Sequence, residues 1–517
     1  MHATETSASD VASRRPASSI LRLALGPALA AAAYVALGSF VGPEGLSEAG
    51  RLVGCVLVWM GAWWLTEAIP LPATALLPLV LLPATGSVSM SEAAAPYASR
   101  IIFLFMGGFM LALAMQKHSL HKRIALVALS LIGGSPARMI AGFMITTAAL
   151  SMWVSNTATT VMMLPIASSV VALVQARAGG GQHNFATALM LGIAYSASIG
   201  GLATPIGSPP NAILLGFLQG EFGYSISFVR WMMMGLPITL VFLPLTWALL
   251  VKVLHPPAIR EIPGGRAFIR DELRSLGRMS TGERVVMAVF FATVACWLGR
   301  GFVAEMDNAF GAFVSRNVDD AAIAIASSIA LFVIPVDLKR GEFALDWKTA
   351  EGLPWGVLLL FGGGLSLAAA VKSSGLDAFI GGAVSSLAGT PTLLIVIVSV
   401  AIVVFLTEMT SNTATATIFV SILTGVALVG LGIDPLLLIV PATLASSCAF
   451  MMPVATPPNA IVYGTGWVTM RQMARAGFAL NIVSILLATV AVYTVVSWVL
   501  GIDFQGVPAW AQEAGSP

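Results

Sequence analysis

Residues 155–167 read SNTATTVMMLPIA, and residues 411–423 read SNTATATIFVSIL. Both strings lie within long runs of Ala, Val, Leu, Ile and Met. Lipid would leave the Ser, Asn and Thr side chains without hydrogen-bond partners, so such clusters are expected to line a cavity formed by protein or water. The repetition predicts one binding site that is built from two matching halves.

The composition of the chain is that of a membrane protein. Of its 517 residues, 57% are hydrophobic and 10% are charged, whereas soluble domains average about 25% charged residues. Long apolar runs recur from residue 21 to residue 500. They predict an all-α polytopic membrane protein. The formal net charge of +2 gives no indication of a nucleic-acid partner.

A constant offset relates a second pair of motifs. FMGGFMLALAMQKHSL begins at Phe105, and FGGGLSLAAAVKSSGL begins 256 residues later at Phe361 (361 minus 105). The two SNT strings have the same offset (411 minus 155). Each half then continues with a proline-rich motif, ATPIGSPPNAI at residues 203–213 and VATPPNAIVYG at 454–464. The shared order predicts an internal repeat.

The apolar runs predict about eleven membrane spans and two hairpins. Residues 139–174 and 392–431 each carry an SNT string near the middle, and arms of about 15 residues are too short to cross a bilayer. We therefore predict re-entrant hairpins with an SNT string at each tip. The spans are predicted near residues 21–41, 52–67, 71–83, 101–131, 185–220, 228–254, 285–302, 321–335, 357–371, 435–466 and 478–500.

Basic residues predict the orientation of the chain. Arg14, Arg15 and Arg22 precede the first span, and arginines recur between residues 252 and 284. This pattern predicts a multi-pass protein of the inner cell membrane with a cytoplasmic N-terminus and an extracytoplasmic C-terminus. Five predicted spans separate the hairpins, which would therefore enter from opposite faces. Inverted repeats of this kind are typical of secondary transporters.

The predicted organisation divides the chain into six parts. A cleaved signal peptide is disfavoured at the N-terminus, because the apolar run after Arg22 is long enough to span. The parts are a disordered cytoplasmic tail (1–20), a first transmembrane helix (21–50), a first inverted repeat (51–254), a cytoplasmic linker (255–283), a second inverted repeat (284–500) and an extracytoplasmic tail (501–517).

The proline-rich motifs predict breaks in two helices. Residues 204–211 contain three prolines and one glycine, and residues 456–459 read TPPN; proline has no backbone N–H and disrupts a helix interior. Unwound backbone offers carbonyl oxygens to Na⁺, while helix N-termini and Asn or Thr donors suit a carboxylate. No Arg or Lys lies in these motifs. An anionic substrate would therefore be balanced by co-bound cations, which favours sodium coupling.

Two acids in apolar surroundings are candidates for a functional role. Glu408 lies three residues before Ser411 and is a candidate for support of the hairpin, whereas Glu67 lies at the end of a span and fits an anchor. A lone Ser-Asn-Thr is more often a contact between helices. Duplication beside a second duplicated motif favours a binding site. The three cysteines show no metal-binding or disulfide spacing.

The motifs resemble those of the divalent anion/sodium symporter family, which carries di- and tricarboxylates. The resemblance rests on WWLTEAIPLPATALLP from Trp63, both SNT strings, both PPN motifs and SCAFMMPVATPPNAIV at residues 447–462. It extends from about residue 63 to residue 462. It implies a homodimer whose protomers each have a scaffold domain and a transport domain that moves by an elevator mechanism.

The resemblance also implies two sodium sites and a substrate site. One sodium site would use Ser151, Ser155, Asn156 and the Gly207 carbonyl. The other would use Thr407, Ser411, Asn412 and the Ala455 carbonyl. The substrate carboxylates would contact Asn156, Thr157, Ser208, Asn412, Thr413, Thr456 and Pro457.

These observations predict a sodium-coupled importer of C4-dicarboxylates such as succinate, malate or fumarate. The alternatives within the family are dicarboxylate exchange without sodium and transport of a tricarboxylate or another divalent anion. Residue 208 is Ser where many relatives have Thr, which leaves the exact substrate open. A channel would need a continuous polar pore, and an enzyme would need a nucleophile–base pair or a metal cluster. The motifs indicate neither, so we expect no enzymatic activity.

Overall fold

The structure is a computed structural model that describes residues 17–42, 45–131, 135–177, 183–259, 262, 265–304, 306–383, 389–504 and 506–512. Most of the predicted tail 1–20, part of the linker 255–283 and part of the tail 501–517 lie outside these residues. Nine helices in the described residues are long and apolar enough to cross a membrane, and four shorter apolar helices accompany them. The prediction of a helical, polytopic membrane protein is confirmed.

The named secondary-structure elements in the first half of the described chain are all helices. One 3₁₀ turn covers Ala95–Ala98, and α12 below continues as a π-helix over Leu249–Leu254. The α-helices are α1 Ala17–Gly38, α2 Glu48–Thr66, α3 Leu71–Thr74, α4 Leu77–Ala84, α5 Met90–Ala94, α6 Arg100–Lys117, α7 Leu120–Ser130, α8 Pro136–Ser151, α9 Asn156–Arg177, α10 His183–Gly201, α11 Pro209–Phe222, α12 Phe228–Ala248 and α13 Gly265–Ser275.

The second half adds one short antiparallel β-hairpin, formed by β1 Pro335–Asp337 and β2 Glu342–Phe343. Two π-helices, Val426–Leu431 and Val492–Val496, continue α21 and α24. The α-helices are α14 Thr281–Ala304, α15 Ala309–Asn317, α16 Asp320–Val333, α17 Trp347–Ala350, α18 Trp355–Ser373, α19 Leu376–Ala383, α20 Thr392–Thr407, α21 Asn412–Gly425, α22 Leu436–Ser446, α23 Pro457–Tyr463, α24 Met470–Ala491, α25 Ser497–Leu500 and α26 Ala509–Gln512.

Both SNT strings lie where one helix ends and the next begins. The chain leaves α8 at Ser151 and enters α9 at Asn156, and it leaves α20 at Thr407 and enters α21 at Asn412. The expected arm length of about 15 residues is wrong for the second arms. Helix α9 has 22 residues, and α21 with its π-helical extension forms a candidate span of 20 residues. The apolar sequence after each SNT continues the helix beyond the predicted length.

Two predicted spans are interrupted outside the proline-rich breaks. The span predicted at 101–131 ends at Lys117, because Ser119 adopts a left-handed backbone with φ of 55° before α7 begins. The corner lies within the run HSLHKR at residues 118–123, which contains five polar residues. The span predicted at 71–83 consists of the separate helices α3 and α4. Single uninterrupted helices were therefore wrong at both places.

Buried side chains form three apolar clusters, which share helices α18 and α21. The largest cluster joins both hairpins to α10–α12 and to α22–α25. The second joins α6, α14, α16 and α18, and the third joins α2, α4 and α18. Helix α18 also packs against α11 and α21. The two SNT hairpins thus lie mainly in the largest cluster, whereas α6 lies in the second and α18 joins all three.

Candidate functional site

A cavity of about 1150 Å³ lies where both SNT tips and both proline-rich breaks meet. All the predicted substrate contacts line it, together with six of the predicted sodium ligands. The two remaining ligands, Ser151 and Thr407, are buried and bind the asparagines of the tips. The predicted residues that line the cavity are Ser155, Asn156, Thr157, Gly207, Ser208, Ser411, Asn412, Thr413, Ala455, Thr456 and Pro457.

The first tip gathers oxygen atoms around Asn156. Ser151 Oγ lies 2.7 Å from Asn156 Oδ1 and donates to the Ala197 carbonyl at 2.7 Å. If the amide is turned over, its nitrogen donates to Ser151 Oγ at 2.7 Å, to Ala197 O at 3.0 Å and to Gly207 O at 3.3 Å. In the orientation before this turn, the Asn156 amide oxygen faces the carbonyl oxygens of Ala197 and Gly207. A cation between these oxygens would stabilise that orientation.

The second tip repeats this arrangement at the corresponding positions. Thr407 Oγ1 lies 2.7 Å from Asn412 Oδ1 and 2.9 Å from the Ser446 carbonyl, and its single hydrogen can be donated to either oxygen. Ser446 ends α22, which corresponds to α10 in the first half. The hydroxyl before each SNT therefore joins the asparagine to the helix that precedes the break.

Each break is held by the asparagine of its PPN motif. Asn211 Nδ2 donates to Gly201 O and Thr204 O, both at 2.9 Å. Asn459 Nδ2 donates to Ala449 O and Met452 O, both at 3.1 Å. Both asparagines are fully buried. These bonds occupy carbonyls that the interrupted helices leave without helical partners.

The donor set of the first tip fits Na⁺. It consists of a hydroxyl, an amide oxygen and backbone carbonyls, and unwound carbonyls coordinate Na⁺ in transporters with broken helices. A Cβ added at Gly201 would lie 2.7 Å from Gly207 O and 2.9 Å from Asn156 Oδ1. The missing side chain at Gly201 therefore leaves the oxygens free to approach one another. No group of three His, Cys, Asp or Glu side chains suited to a metal occurs among the described residues.

The cavity wall also offers hydroxyl groups and helix N-termini. Helices α9, α11 and α21 all begin at its wall, where backbone N–H groups carry partial positive charge. Ser208 shares a hydrogen bond of 2.8 Å with Ser447. Thr456 Oγ1 caps α23 by accepting the Asn459 N–H at 3.3 Å. These groups suit a ligand with oxygen acceptors at both ends.

Two charged residues on the cavity wall were not assigned there by the sequence. Arg22 was used only to predict orientation, and Glu67 only as an anchor, yet both line the cavity. Leu23 O accepts a hydrogen bond of 3.1 Å from Trp63 Nε1, which holds α1 beside α2. Glu67 ends α2 in a left-handed conformation with φ of 47°. No motif connects residues 22 and 67, so only the packing of α1 on α2 reveals this placement.

The chain matches proteins whose functions are named. The family model of the sodium:sulfate symporter transmembrane region matches residues 25–502. The chain is 43% identical over 490 residues to the sodium-dependent dicarboxylate transporter SdcS of Staphylococcus saprophyticus, covering 94% of this chain and 92% of that protein. It is 42% identical over 495 residues to the protein of the same name from Staphylococcus aureus, covering 95% and 93%.

Two solved structures share the fold at low sequence identity. The YdaH transporter of Alcanivorax borkumensis has a TM-score of 0.56 and 14% identity, over 87% of this chain and 99% of that one. MtrF of Neisseria gonorrhoeae has a TM-score of 0.56 and 12% identity, over 95% and 96%. Both similarities concern the arrangement of helices alone.

Proposed function

The chain belongs to the sodium:sulfate symporter family, and we propose that it imports C4-dicarboxylates such as succinate, malate and fumarate together with Na⁺. The relatives with 42% and 43% identity are named sodium-dependent dicarboxylate transporters. The observation that carries the proposal is the pair of matched oxygen clusters, at Asn156 and at Asn412, beside one cavity.

The two asparagines couple the ion to the anion. Each amide has an oxygen that can bind Na⁺ and an NH₂ group that can donate hydrogen bonds to a carboxylate. When the Asn156 nitrogen faces Ala197 O and Gly207 O, protein oxygens use its donors. Na⁺ among these oxygens favours the opposite orientation and leaves the donors free for the substrate. Dicarboxylate affinity therefore depends on sodium, and the bound cations balance the charge of the dianion.

The grouping of the helices by apolar cluster suits an elevator mechanism. We assign the hairpins with α10–α12 and α22–α25 to the transport domain, because one apolar cluster unites them. The helices α2, α4, α6, α14, α16 and α18 form the scaffold domain. The scaffold contributes Phe105, Phe109 and Val357 to the cavity wall. Sliding of the transport domain along this wall would carry the site across the bilayer in a homodimer.

The proposed topology places the N-terminus in the cytoplasm and the C-terminus outside the inner membrane. The two repeats would be inverted, so the tip at Asn156 enters from the cytoplasm and the tip at Asn412 from outside. Arg22 and Pro354 line the cavity, and both lie at the cytoplasmic ends of their helices in this topology. The cavity would therefore open to the cytoplasm in this conformation.

Uptake into proteoliposomes tests the proposal. Labelled succinate is supplied outside, with no dicarboxylate inside, and an inward Na⁺ gradient is compared with an equal gradient of a large organic cation. We expect uptake only with Na⁺. Uptake that ignores Na⁺ and requires internal dicarboxylate would contradict symport and establish exchange.

A further inference from the structure

Glu408 binds three consecutive backbone N–H groups of the second break. The residue is 3% exposed, and its carboxylate accepts hydrogen bonds from Phe450 N at 2.6 Å, from Met451 N at 2.9 Å and from Met452 N at 3.1 Å. Consecutive N–H groups that converge on one point form an anion-binding turn. An acceptor with two oxygens and a negative charge suits these donors better than a neutral side chain does.

Neighbouring helices hold the same segment from other sides. Asn481 on α24 donates to Glu408 Oε1 at 2.8 Å. Tyr195 on α10 donates to the Phe450 carbonyl at 2.9 Å. A Cβ at Gly477 would overlap the backbone of residues 450 and 451, so the glycine lets α24 pass directly against them. The backbone of Phe450 is therefore fixed at its N–H and at its carbonyl.

This segment connects the two parts of the proposed second sodium site. Glu408 directly follows Thr407 and lies three residues before Ser411. Ala455, whose carbonyl is the proposed fourth ligand, lies three residues after Met452. Asn459 also holds the Met452 carbonyl, at 3.1 Å. One carboxylate thus ties the hairpin tip to the backbone that leads to the Ala455 carbonyl.

The first half has no carboxylate at this position. The corresponding residue is Met152 (408 minus 256). Its backbone carbonyl accepts one hydrogen bond, of 2.5 Å, from Thr204 Oγ1. Tip and break are therefore joined through neutral groups in the first half, Thr204 Oγ1 and the Asn156 amide, and through a buried carboxylate with several donors in the second.

We propose that Glu408 is a positioning residue that assembles the second sodium site before the ion binds. The inference rests on the proposed sodium-coupled function and adds a role outside the ligand set. Without the carboxylate, the Ala455 carbonyl loses its fixed distance from Thr407 and Asn412. Na⁺ must then order the break as it binds, which lowers sodium affinity while the ligands themselves remain.

The test measures the Na⁺ concentration that gives half-maximal succinate uptake in proteoliposomes. Glu408→Gln keeps the shape but removes the charge, and we expect the half-maximal concentration to rise roughly tenfold or more, as for other residues that support metal ligands. Glu408→Asp keeps the charge and should raise the half-maximal Na⁺ concentration less. Met152→Leu at the corresponding position is the matched control and should leave it unchanged.

The outcomes separate this inference from the proposed function. Sodium-independent uptake by the wild-type protein would overturn both. Sodium-dependent wild-type uptake, together with an unchanged half-maximal concentration in folded Glu408→Gln, would overturn the positioning role alone. A purely structural role would lower the amount of active protein without this shift. If Glu408→Gln does not fold, Asn481→Ala is measured in its place. A smaller rise in the half-maximal Na⁺ concentration supports the positioning role of Glu408, and no rise contradicts it.

Discussion

The two halves of the molecule hold their SNT tips in the same way but attach their breaks differently. Ser151 and Thr407 each bind the asparagine five residues later and a carbonyl on the helix before the break. The breaks are tied to the tips by unlike groups, a threonine hydroxyl in the first half and the Glu408 carboxylate in the second. Duplication has kept the groups proposed to bind ligands while the groups that support them have diverged.

The difference concerns how much of each site exists before a ligand arrives. The second break has its N–H groups, its carbonyls and its packing against α24 all engaged. The first break is held by neutral groups, because Asn211, Thr204 and Trp231 form its side-chain hydrogen bonds and α12 packs against it at Gly235. We therefore expect the second half to be the more rigid one, and the first to order on binding. The following variants test this comparison.

Replacing either tip asparagine should have the largest effect. Asn156→Ala and Asn412→Ala each remove a proposed contact to both ion and anion, and a loss of about 3 kcal/mol corresponds to a roughly 100-fold lower rate. Initial rates of sodium-driven succinate uptake measure this loss. Asn317→Ala on the exposed end of α15 is the control and should transport normally. Near-normal uptake by either folded tip variant would contradict the assignment of a site shared by both halves.

Replacing the asparagines of the breaks should separate the two halves. Asn211→Leu and Asn459→Leu each remove the donor of one carbonyl, Gly201 O or Ala449 O, at about 1–3 kcal/mol of folding free energy. Because Glu408 still holds the second break, we expect Asn211→Leu to lower the uptake rate more than Asn459→Leu. Thermal melting in detergent and uptake by equal amounts of folded protein measure the two effects. Equal losses of transport would argue against the difference in rigidity.

Two glycines test the close packing behind each break. A Cβ at Gly200 would overlap Ala148, and one at Gly477 would overlap Phe450. Overpacking of this kind typically costs about 1–3 kcal/mol, so Gly200→Ala and Gly477→Ala should both lower the melting temperature. Gly299→Ala is the control, because nothing lies within 4 Å of its added Cβ. Helix propensity predicts that Gly299→Ala is neutral or stabilising by up to about 1 kcal/mol.

The ion pair at the end of α6 should have the smallest effect, and this effect is on the stability of the fold. Lys117 lies 2.6 Å from Asp346, and this lysine, with the Thr349 N–H, lowers the pKa of Asp346 from 3.8 to about 2. A depressed carboxylate pKa stabilises the fold above the unfolded value and loses that effect as the pH falls through about 2. Asp346 is largely exposed, so solvent limits the contribution to about 0.5 kcal/mol.

Melting of Asp346→Asn against wild type measures this contribution. We expect a small difference that is constant between pH 5 and 8 and that shrinks below pH 4, as the unfolded carboxylate becomes protonated. A difference that grows with acidification would contradict the sign of this prediction.

The repeat in the sequence predicted which residues correspond, and the structure gives those residues matching hydrogen bonds. Proline and glycine predicted the breaks, because their effects on the backbone are local. The partners of Glu408 lie 42 to 73 residues away, and spacing along the chain does not indicate which N–H groups will face a carboxylate. The corner at Ser119 was also missed, because serine carries no strong signal for a left-handed backbone.

Equilibrium binding of labelled succinate to the purified protein tests the central claim most directly. The wild type, Asn156→Ala and Asn412→Ala are each compared in Na⁺ and in an equal concentration of a large organic cation. Our account predicts that one succinate binds per chain when Na⁺ is present and none when the organic cation replaces it. Either single replacement should abolish binding. Binding that is independent of Na⁺, or that persists when one tip has lost its asparagine, would contradict a single anion site built with sodium from both halves.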